Sequence, residues 1–233
     1  MLGLHWKKIV SLFCFLLLIT NAFSQNKMKY QAAYDAKKMR FGYLVGISSS
    51  NYNVKHNRSF VNQSAFFSIT SPTTYHVRMG GLVNFSLNDY FDFRVLPTVS
   101  IYSRVLTIDT TNNLKQNDKA WFEIPVMFKY KSERRGNVRM YMFGGMRFGM
   151  ETNVISFRNR SSSPSALSTK NTDFSVEYGL GLELFREYFK FAPELHFSHG
   201  LTNMVEPVIT GTSPLGRIEK LRTHTVTLFF NFE

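Results

Sequence analysis

The sequence predicts an all-β fold: an eight-stranded antiparallel transmembrane β-barrel, wound as an up-and-down meander with a plugged lumen. Three observations carry that prediction. Apolar and polar residues alternate with a period of two in eight successive segments between Arg40 and Phe232. The connections between those segments are alternately long and short. The apolar side of the alternation is crowded with large rings, while the other side carries Gly, Ser, Thr and charges of both signs.

The first segment, Arg40 to Ser48, sets Phe41, Tyr43, Val45 and Ile47 against Gly42, Leu44 and Gly46. Thr74 to Ser86 sets Tyr75, Val77 and Met79 against His76, Arg78 and Gly80. Tyr90 to Thr107 sets Phe91, Phe93 and Val99 against Asp92, Arg94, Ser100 and Arg104. Ala120 to Lys131 sets Phe122, Val126 and Phe128 against Glu123, Met127 and Lys129. In the second half, Asn137 to Met150 opposes Met140, Met142 and Phe148 to Arg139, Tyr141, Phe143 and Arg147. Asp173 to Phe185 opposes Val176, Tyr178 and Leu180 to Glu177 and Glu183. Tyr188 to His199 opposes Phe191, Leu195 and Phe197 to Lys190, Glu194, His196 and Ser198. Leu221 to Phe232 opposes Val226, Leu228 and Phe230 to Thr223, Thr225, Thr227 and Asn231. Side chains two apart share a face of a strand, so this period specifies strands, and each segment is long enough to cross an outer membrane at a tilt.

Ser49–Thr73, Ile108–Lys119, Glu151–Thr172 and Gly200–Lys220 are long connections, rich in Ser, Thr, Asn and Pro, as in Ser161 to Thr169. Leu87–Asp89, Ser132–Gly136 and Arg186–Glu187 are short. Long external loops and short periplasmic turns are the habit of outer-membrane barrels. No internal repeat or linker divides the chain.

Composition agrees with one domain in 233 residues. Hydrophobic residues are 44%, charged residues 19% and aromatics 15%, which excludes a disordered charged tail. The mean hydropathy is slightly negative, which excludes a bundle of transmembrane helices. Lys7 and Lys8 precede an apolar run, Ile9 to Thr20, and then the small-x-small pattern Ala22-Phe23-Ser24. Residues 1–24 are therefore expected to be a signal peptide cleaved after Ser24, with 25–38 a short periplasmic segment and 39–233 the barrel. Of 28 basic residues, Lys7 and Lys8 leave with the signal, so 26 face 16 acidic ones at a charge of +10. Cys14, the single cysteine, leaves too, and with it any disulfide, cysteine–zinc site or cysteine nucleophile. A small secreted animal domain would usually carry disulfides, so a bacterial envelope protein is the better fit.

Periodicity does not say which face meets water, because a lipocalin-type barrel also has eight strands with its apolar face inward. The interior of eight strands is just wide enough to be filled by side chains and could not hold this many rings. The rings are therefore expected to face lipid. The lumen then holds Asp92, Glu123, Glu177, Glu183 and Glu194 opposite Arg78, Arg94, Arg104, Lys129, Arg139, Arg147 and Lys190, and these should pair, since an isolated buried charge is costly. This charge network is read as structural, with no catalytic, cofactor or metal residues assigned.

The chain resembles the PorT/SprT family, outer-membrane barrel components of the type IX secretion system of Bacteroidetes. The resemblance rests on Phe93-Arg94-Val95-Leu96-Pro97, Glu123-Ile124-Pro125 followed by Lys129-Tyr130-Lys131-Ser132, and Phe143-Gly144-Gly145. Glu177-Tyr178-Gly179-Leu180-Gly181, Tyr188 to Glu194 and the final Phe229-Phe230-Asn231-Phe232-Glu233 add to it. It implies a non-enzymatic component required for cargo export, and for gliding motility where the system serves it. The implied partners are outer-membrane lipid and other type IX components. The alternatives are a generic adhesin-like or structural barrel that binds a partner through its loops, and a lipid A deacylase.

The deacylase alternative rests on His196-x-Ser198, which resembles the base and nucleophile of outer-membrane lipid A deacylases. Its register puts both residues inward, away from lipid, so a hydrogen-bonded lumen pair is expected instead. His76, His196, His199 and His224 show no metal-ligand spacing within one strand. Gly80-Gly81 and Gly144-Gly145 precede no helix, which excludes a phosphate loop and favours bends or close backbone approach. Lys131 to Arg135 is read as a basic periplasmic turn. The positive charge is better used near anionic lipid head groups than on nucleic acid, which an exported protein does not meet, and no small-molecule substrate is implied.

Overall fold

A computed structural model describes residues 29–56, 69–102, 105–108, 112–115, 119–152, 170–205 and 218–233. The expected signal peptide, Arg104 and Ser161 to Thr169 lie outside the described residues.

The structure is almost entirely β. Its strands are β1 (Met39–His56), β2 (Ile69–Thr70), β3 (Thr74–Ser86), β4 (Phe91–Val95), β5 (Thr98–Tyr102), β6 (Val105–Ile108), β7 (Asn112–Lys115), β8 (Lys119–Lys131), β9 (Val138–Thr152), β10 (Thr172–Phe185), β11 (Lys190–Gly200) and β12 (Ile218–Phe232). A 3-10 turn, Ala32–Tyr34, precedes β1. All pairings are antiparallel. The main sheet runs β1-β12-β11-β10-β9-β8-β4-β3-β5, and β3 also pairs with β1, so the hydrogen bonding returns to its starting strand as a ring. β1 meets β12 from Tyr43 opposite Phe232 to Val54 opposite Leu221. Ser86 N donates to Lys38 O and Lys190 N to Glu233 O, so the short turns and both described ends of the chain share one end of the ring.

The alternation sorts the side chains as its period requires. Phe41, Tyr43, Tyr75, Met79, Phe128, Met140, Met142 and Leu180 are exposed on the outer face. Arg78, Arg94, Lys129, Lys190 and Glu177 have 0% exposure on the inner one. The inner face is not purely small and charged, however. Leu44, Leu82, Leu96, Met127, Tyr141, Phe143, Ala192 and Phe229 form one buried apolar cluster, and Tyr52, Tyr102, Trp121, Met204, Ile218 and Leu221 form another.

Several element boundaries differ from those the sequence suggests, and β1 runs on to His56, past its expected end at Ser48. The segment expected as one strand from Tyr90 to Thr107 is interrupted. β4 and β5 pair in turn with β3 and β8, with Leu96-Pro97 between them. Pro97 has no N–H to give a ladder, but parity survives the break, because Arg94, Leu96, Thr98 and Ser100 are all buried. Beyond Tyr102, β6 leaves the ring for a small sheet ordered β2-β6-β7, so the expected long connections after Ser49 and Ile108 contain strand.

The glycine pairs divide by face. A Cβ on Gly80 would strike the Pro97 carbonyl oxygen, and one on Gly145 the Val126 carbonyl oxygen. On Gly144 the nearest atom would be Tyr178 Cβ at 3.9 Å, an ordinary contact. Gly145→Ala should therefore destabilise the fold by about 1–3 kcal/mol, as overpacking does, with Gly144→Ala near neutral. Urea unfolding midpoints of the two variants in detergent check this; equal midpoints would show that the β8–β9 approach is not tight.

Candidate functional site: a buried charge network

The inner face brings the expected charged residues into contact, and its arrangement follows the strand register. Near the end with the long connections, Glu123 of β8 lies 2.9 Å from Arg78 of β3 and 3.4 Å from Arg147 of β9. Glu123 also accepts hydrogen bonds from Ser100 Oγ at 2.8 Å and the Tyr102 hydroxyl at 2.7 Å. Arg147 is 3.7 Å from Asp173 and 3.8 Å from Glu177 on β10.

Midway, His196 links two carboxylates. Its Nδ1 is 2.7 Å from Glu177 and its Nε2 2.7 Å from Glu194. Glu194 also takes Arg94 Nη1 at 2.5 Å and the Tyr141 hydroxyl.

Towards the short turns, Lys129 is 2.5 Å and Lys190 3.0 Å from Glu183, with Arg139 at 3.5 Å. Lys190 is also 2.6 Å from the Glu233 carboxylate. Arg94, 3.7 Å from Glu233, joins this group to the middle one. Asp92 stands apart from these contacts. It pairs with Arg40 at 2.9 Å and Lys131 at 2.6 Å and accepts from Asn84 Nδ2 at 3.0 Å.

Two readings need correction. Lys131 belongs to the interior rather than to an exposed basic turn, because it is the inward residue at the end of β8 and Asp92 draws its ammonium in. His196 and Ser198 are not bonded to each other. Both His196 ring nitrogens are taken by Glu177 and Glu194, and Ser198 finds a cross-strand partner instead. Ser198 Oγ donates to Ser175 Oγ at 3.3 Å, and Arg147 Nε donates to that same Ser175 oxygen at 2.9 Å. A base with both ring nitrogens on carboxylates, and no bond to the hydroxyl, does not make a nucleophile of Ser198. Among the described residues no group of three or more His, Cys, Asp or Glu is placed to hold a metal ion.

The period could not reveal how the segment before β1 takes part. The Tyr34 hydroxyl bonds the Glu233 carboxylate and accepts from Lys190 Nζ at 2.5 Å. The Arg40 guanidinium lies over its ring at 4.8 Å. Asp35 is 2.8 Å from Arg139. Residues 29–38 are thus folded against the inner charges rather than trailing as a plain tail. Burial pushes the Tyr34 hydroxyl pKa up, and Glu233 beside it adds to the shift. Burial alone would raise the Glu233 pKa, but Lys190, Lys129 and Arg94 outweigh it and hold the carboxyl below its ordinary value. Tyr34 carries no periodic signal, and although Glu233 continues the inward parity of Asn231, only a three-dimensional view joins the two.

Removing one partner of an enclosed pair leaves the other charge uncompensated. Glu194→Ala removes the closest carboxylate of Arg94 and one of the two on His196, and Glu183→Ala removes the carboxylate paired with Lys129 and one of the two on Lys190. Each should cost on the order of 3 kcal/mol. Thermal melts in detergent measure it, and wild-type stability in both variants would show that water reaches the inner face.

The outer membrane protein beta-barrel domain family matches residues 23–206. Among curated proteins none matches the chain in sequence. Among solved structures, OprG from Pseudomonas aeruginosa is similar at 11% identity and a TM-score of 0.46, over 83% of this chain and 92% of that one. Neisserial surface protein A is similar at 8% identity and a TM-score of 0.44, over 84% and 98%. Ail of Yersinia pestis, solved with the heparin analogue sucrose octasulfate, is similar at 10% identity and a TM-score of 0.40, over 84% and 99%. At such TM-scores no function passes from them to this chain.

Proposed function

Because the chain belongs to the outer membrane protein beta-barrel domain family, we propose that its ring of strands is a closed eight-stranded barrel that spans the outer membrane, performs no chemistry, and binds a partner through its long external connections. β4 and β5 count as one strand in this barrel. Residues 1–24 serve as the export signal, and the chain ends and short turns lie in the periplasm. The polarity of the two faces carries the reading. An exposed band of Phe, Tyr, Met and Leu suits hydrocarbon, and a ring without a free edge satisfies every strand's backbone there. The inner face is filled by paired charges and rings. It serves as a structural plug rather than a pore or an open pocket, which leaves the loops and the two rims as the binding surfaces.

The second reading makes this barrel a component of type IX secretion and, where that system drives it, of gliding motility. It rests on the PorT/SprT-like runs at Phe93–Pro97, Glu123–Pro125, Glu177–Gly181 and Tyr188–Glu194. Those runs coincide with barrel-forming features such as the Pro97 break and Glu194's place in the network, so many small barrels would share their chemistry. The generic reading is therefore the better supported.

Fractionation checks the location: the protein should sediment with outer membranes and migrate faster on unboiled gels, and recovery from the soluble periplasm would end the barrel reading. Met142 and Leu180 stand opposite each other on β9 and β10 and are 60% and 57% exposed. If they meet lipid near the midplane, Met142→Arg and Leu180→Arg should each cost about 2–4 kcal/mol of stability in vesicles. No cost would put that face in water. A deletion strain separates the functions: loss of attachment to a surface or partner supports the generic reading, loss of cargo export the type IX reading, and altered lipid A acylation an enzyme.

A further inference from the structure

Two histidines that lie far apart in sequence meet on the outer face, at the end of the ring with the long connections. His199 of β11 and His224 of β12 are direct cross-strand partners. Their Nδ1 atoms are 3.1 Å apart, with ring centroids 4.6 Å apart. On the far side of His199, the Tyr178 hydroxyl lies 3.1 Å from its Nε2. We propose that His199 and His224 form a two-imidazole site for a divalent transition-metal ion, with water completing the coordination.

The geometry suits this chemistry. Metal–imidazole bonds of about 2.0–2.1 Å, at angles between square and tetrahedral, put neighbouring ligand nitrogens about 2.9–3.4 Å apart. The observed separation falls inside that interval, so an ion can take both nitrogens with little movement. A carboxylate is not required, because imidazole nitrogen is a good ligand for Cu²⁺, Ni²⁺ and Zn²⁺, with Cu²⁺ bound most tightly of the three.

Tautomers complete the account. When His199 donates its Nε2 proton to the Tyr178 oxygen, its Nδ1 keeps a free lone pair, which accepts the Nδ1 proton of His224. Binding needs His224 to move that proton from Nδ1 to Nε2 through solvent. Both Nδ1 lone pairs then face the ion and no net proton is lost. Tyr178 is a positioning residue that fixes the His199 tautomer, as outer-shell partners of ligating histidines do. Its ring stacks on His199 at a centroid distance of 5.6 Å, which also holds the imidazole's plane.

The spacing of histidines along single strands conceals this site, since its ligands come from two strands joined by a long connection. Arg222, exposed two residues before His224 on the same face, is the nearest cation along β12 and disfavours a metal ion modestly, through solvent. Asn51 of β1 stands in register beyond His224 and adds no charge.

Untagged protein, refolded in detergent, tests the proposal with Cu²⁺ as probe. Calorimetry should show saturable binding of one ion, and the electron paramagnetic resonance spectrum should show hyperfine splitting from two nitrogens. His199→Ala or His224→Ala should abolish the two-nitrogen spectrum while the gel shift of the folded barrel stays. Tyr178→Phe should keep the spectrum and weaken binding by about tenfold. An affinity equal to wild type would strike Tyr178 from the site. Absence of saturable binding, or a two-nitrogen spectrum that persists in the His199→Ala/His224→Ala double variant, would overturn the proposal.

Discussion

A charge enclosed by protein must meet its opposite, or folding bears a desolvation cost that a domain of this size cannot spare. The inner face of this ring is governed by that requirement. Arg78, Arg94, Arg147, Lys129 and Lys190 come from β3, β4, β9, β8 and β11, while Glu123, Glu177, Glu183 and Glu194 come from β8, β10 and β11. Almost every contact therefore crosses from one strand to another. A one-residue slip of any pairing would turn that strand's charges outward and its rings inward. The ion pairs thus do more for register than for net stability, since a buried pair and an apolar packing of equal volume are often similar in energy.

The rings on the inner face serve the same constraint. Arg78 lies over Phe229 at 4.9 Å, and Lys129 over Tyr141 at 3.8 Å. A π-face offers a cation partial compensation without adding a further negative charge. Tyr102 and Tyr141 go further by donating their hydroxyls to Glu123 and Glu194. Small inward residues are needed where the backbone closes in, and Gly80 beside the Pro97 carbonyl is the clearest case. The Leu96-Pro97 break and Gly80 form one device: the proline interrupts the ladder, its carbonyl comes close over Gly80, and Gly81 N donates to that carbonyl at 2.9 Å.

Period two was enough to assign face and approximate span to most strands, because it is set by local geometry. That Phe41, Met79 and Met142 share one face, and Arg94, Glu177 and Glu194 the other, follows from parity; the narrow interior of eight strands then turns the rings outward. Which inner charges pair is a property of register, strand tilt and side-chain reach, and so does not follow from parity. The sequence therefore supports a set of opposed charges but not Asp92's separate cluster with Arg40 and Lys131, nor the linking role of His196. The Tyr34–Glu233 contact does not follow from parity either, since Tyr34 precedes the alternating segments and the pair acts across almost the whole length of the chain. His199 and His224 come together only through the β11–β12 register, which spacing along a single strand does not express.

An interior so fully committed constrains where function can arise. Opening a path through it would separate Arg94 from Glu194 and Lys190 from Glu233 at once, and each separation leaves buried charges unpaired. Evolution can vary such a protein cheaply only where side chains are not locked into the network, which means the outer face, the turns and the long connections. Among the described residues, the segment around Tyr34 and Asp35 joins the plug from outside the ring strands. It contacts Lys190, Arg139 and Glu233 from outside the sheet, so it can in principle leave without breaking a ladder hydrogen bond. Its departure would still take the closer carboxylate from Arg139, leaving it Glu183 at 3.5 Å, and weaken the Glu233 cluster. The short-turn end is therefore held shut by the same pairing rule that fixes the register of the strands above it.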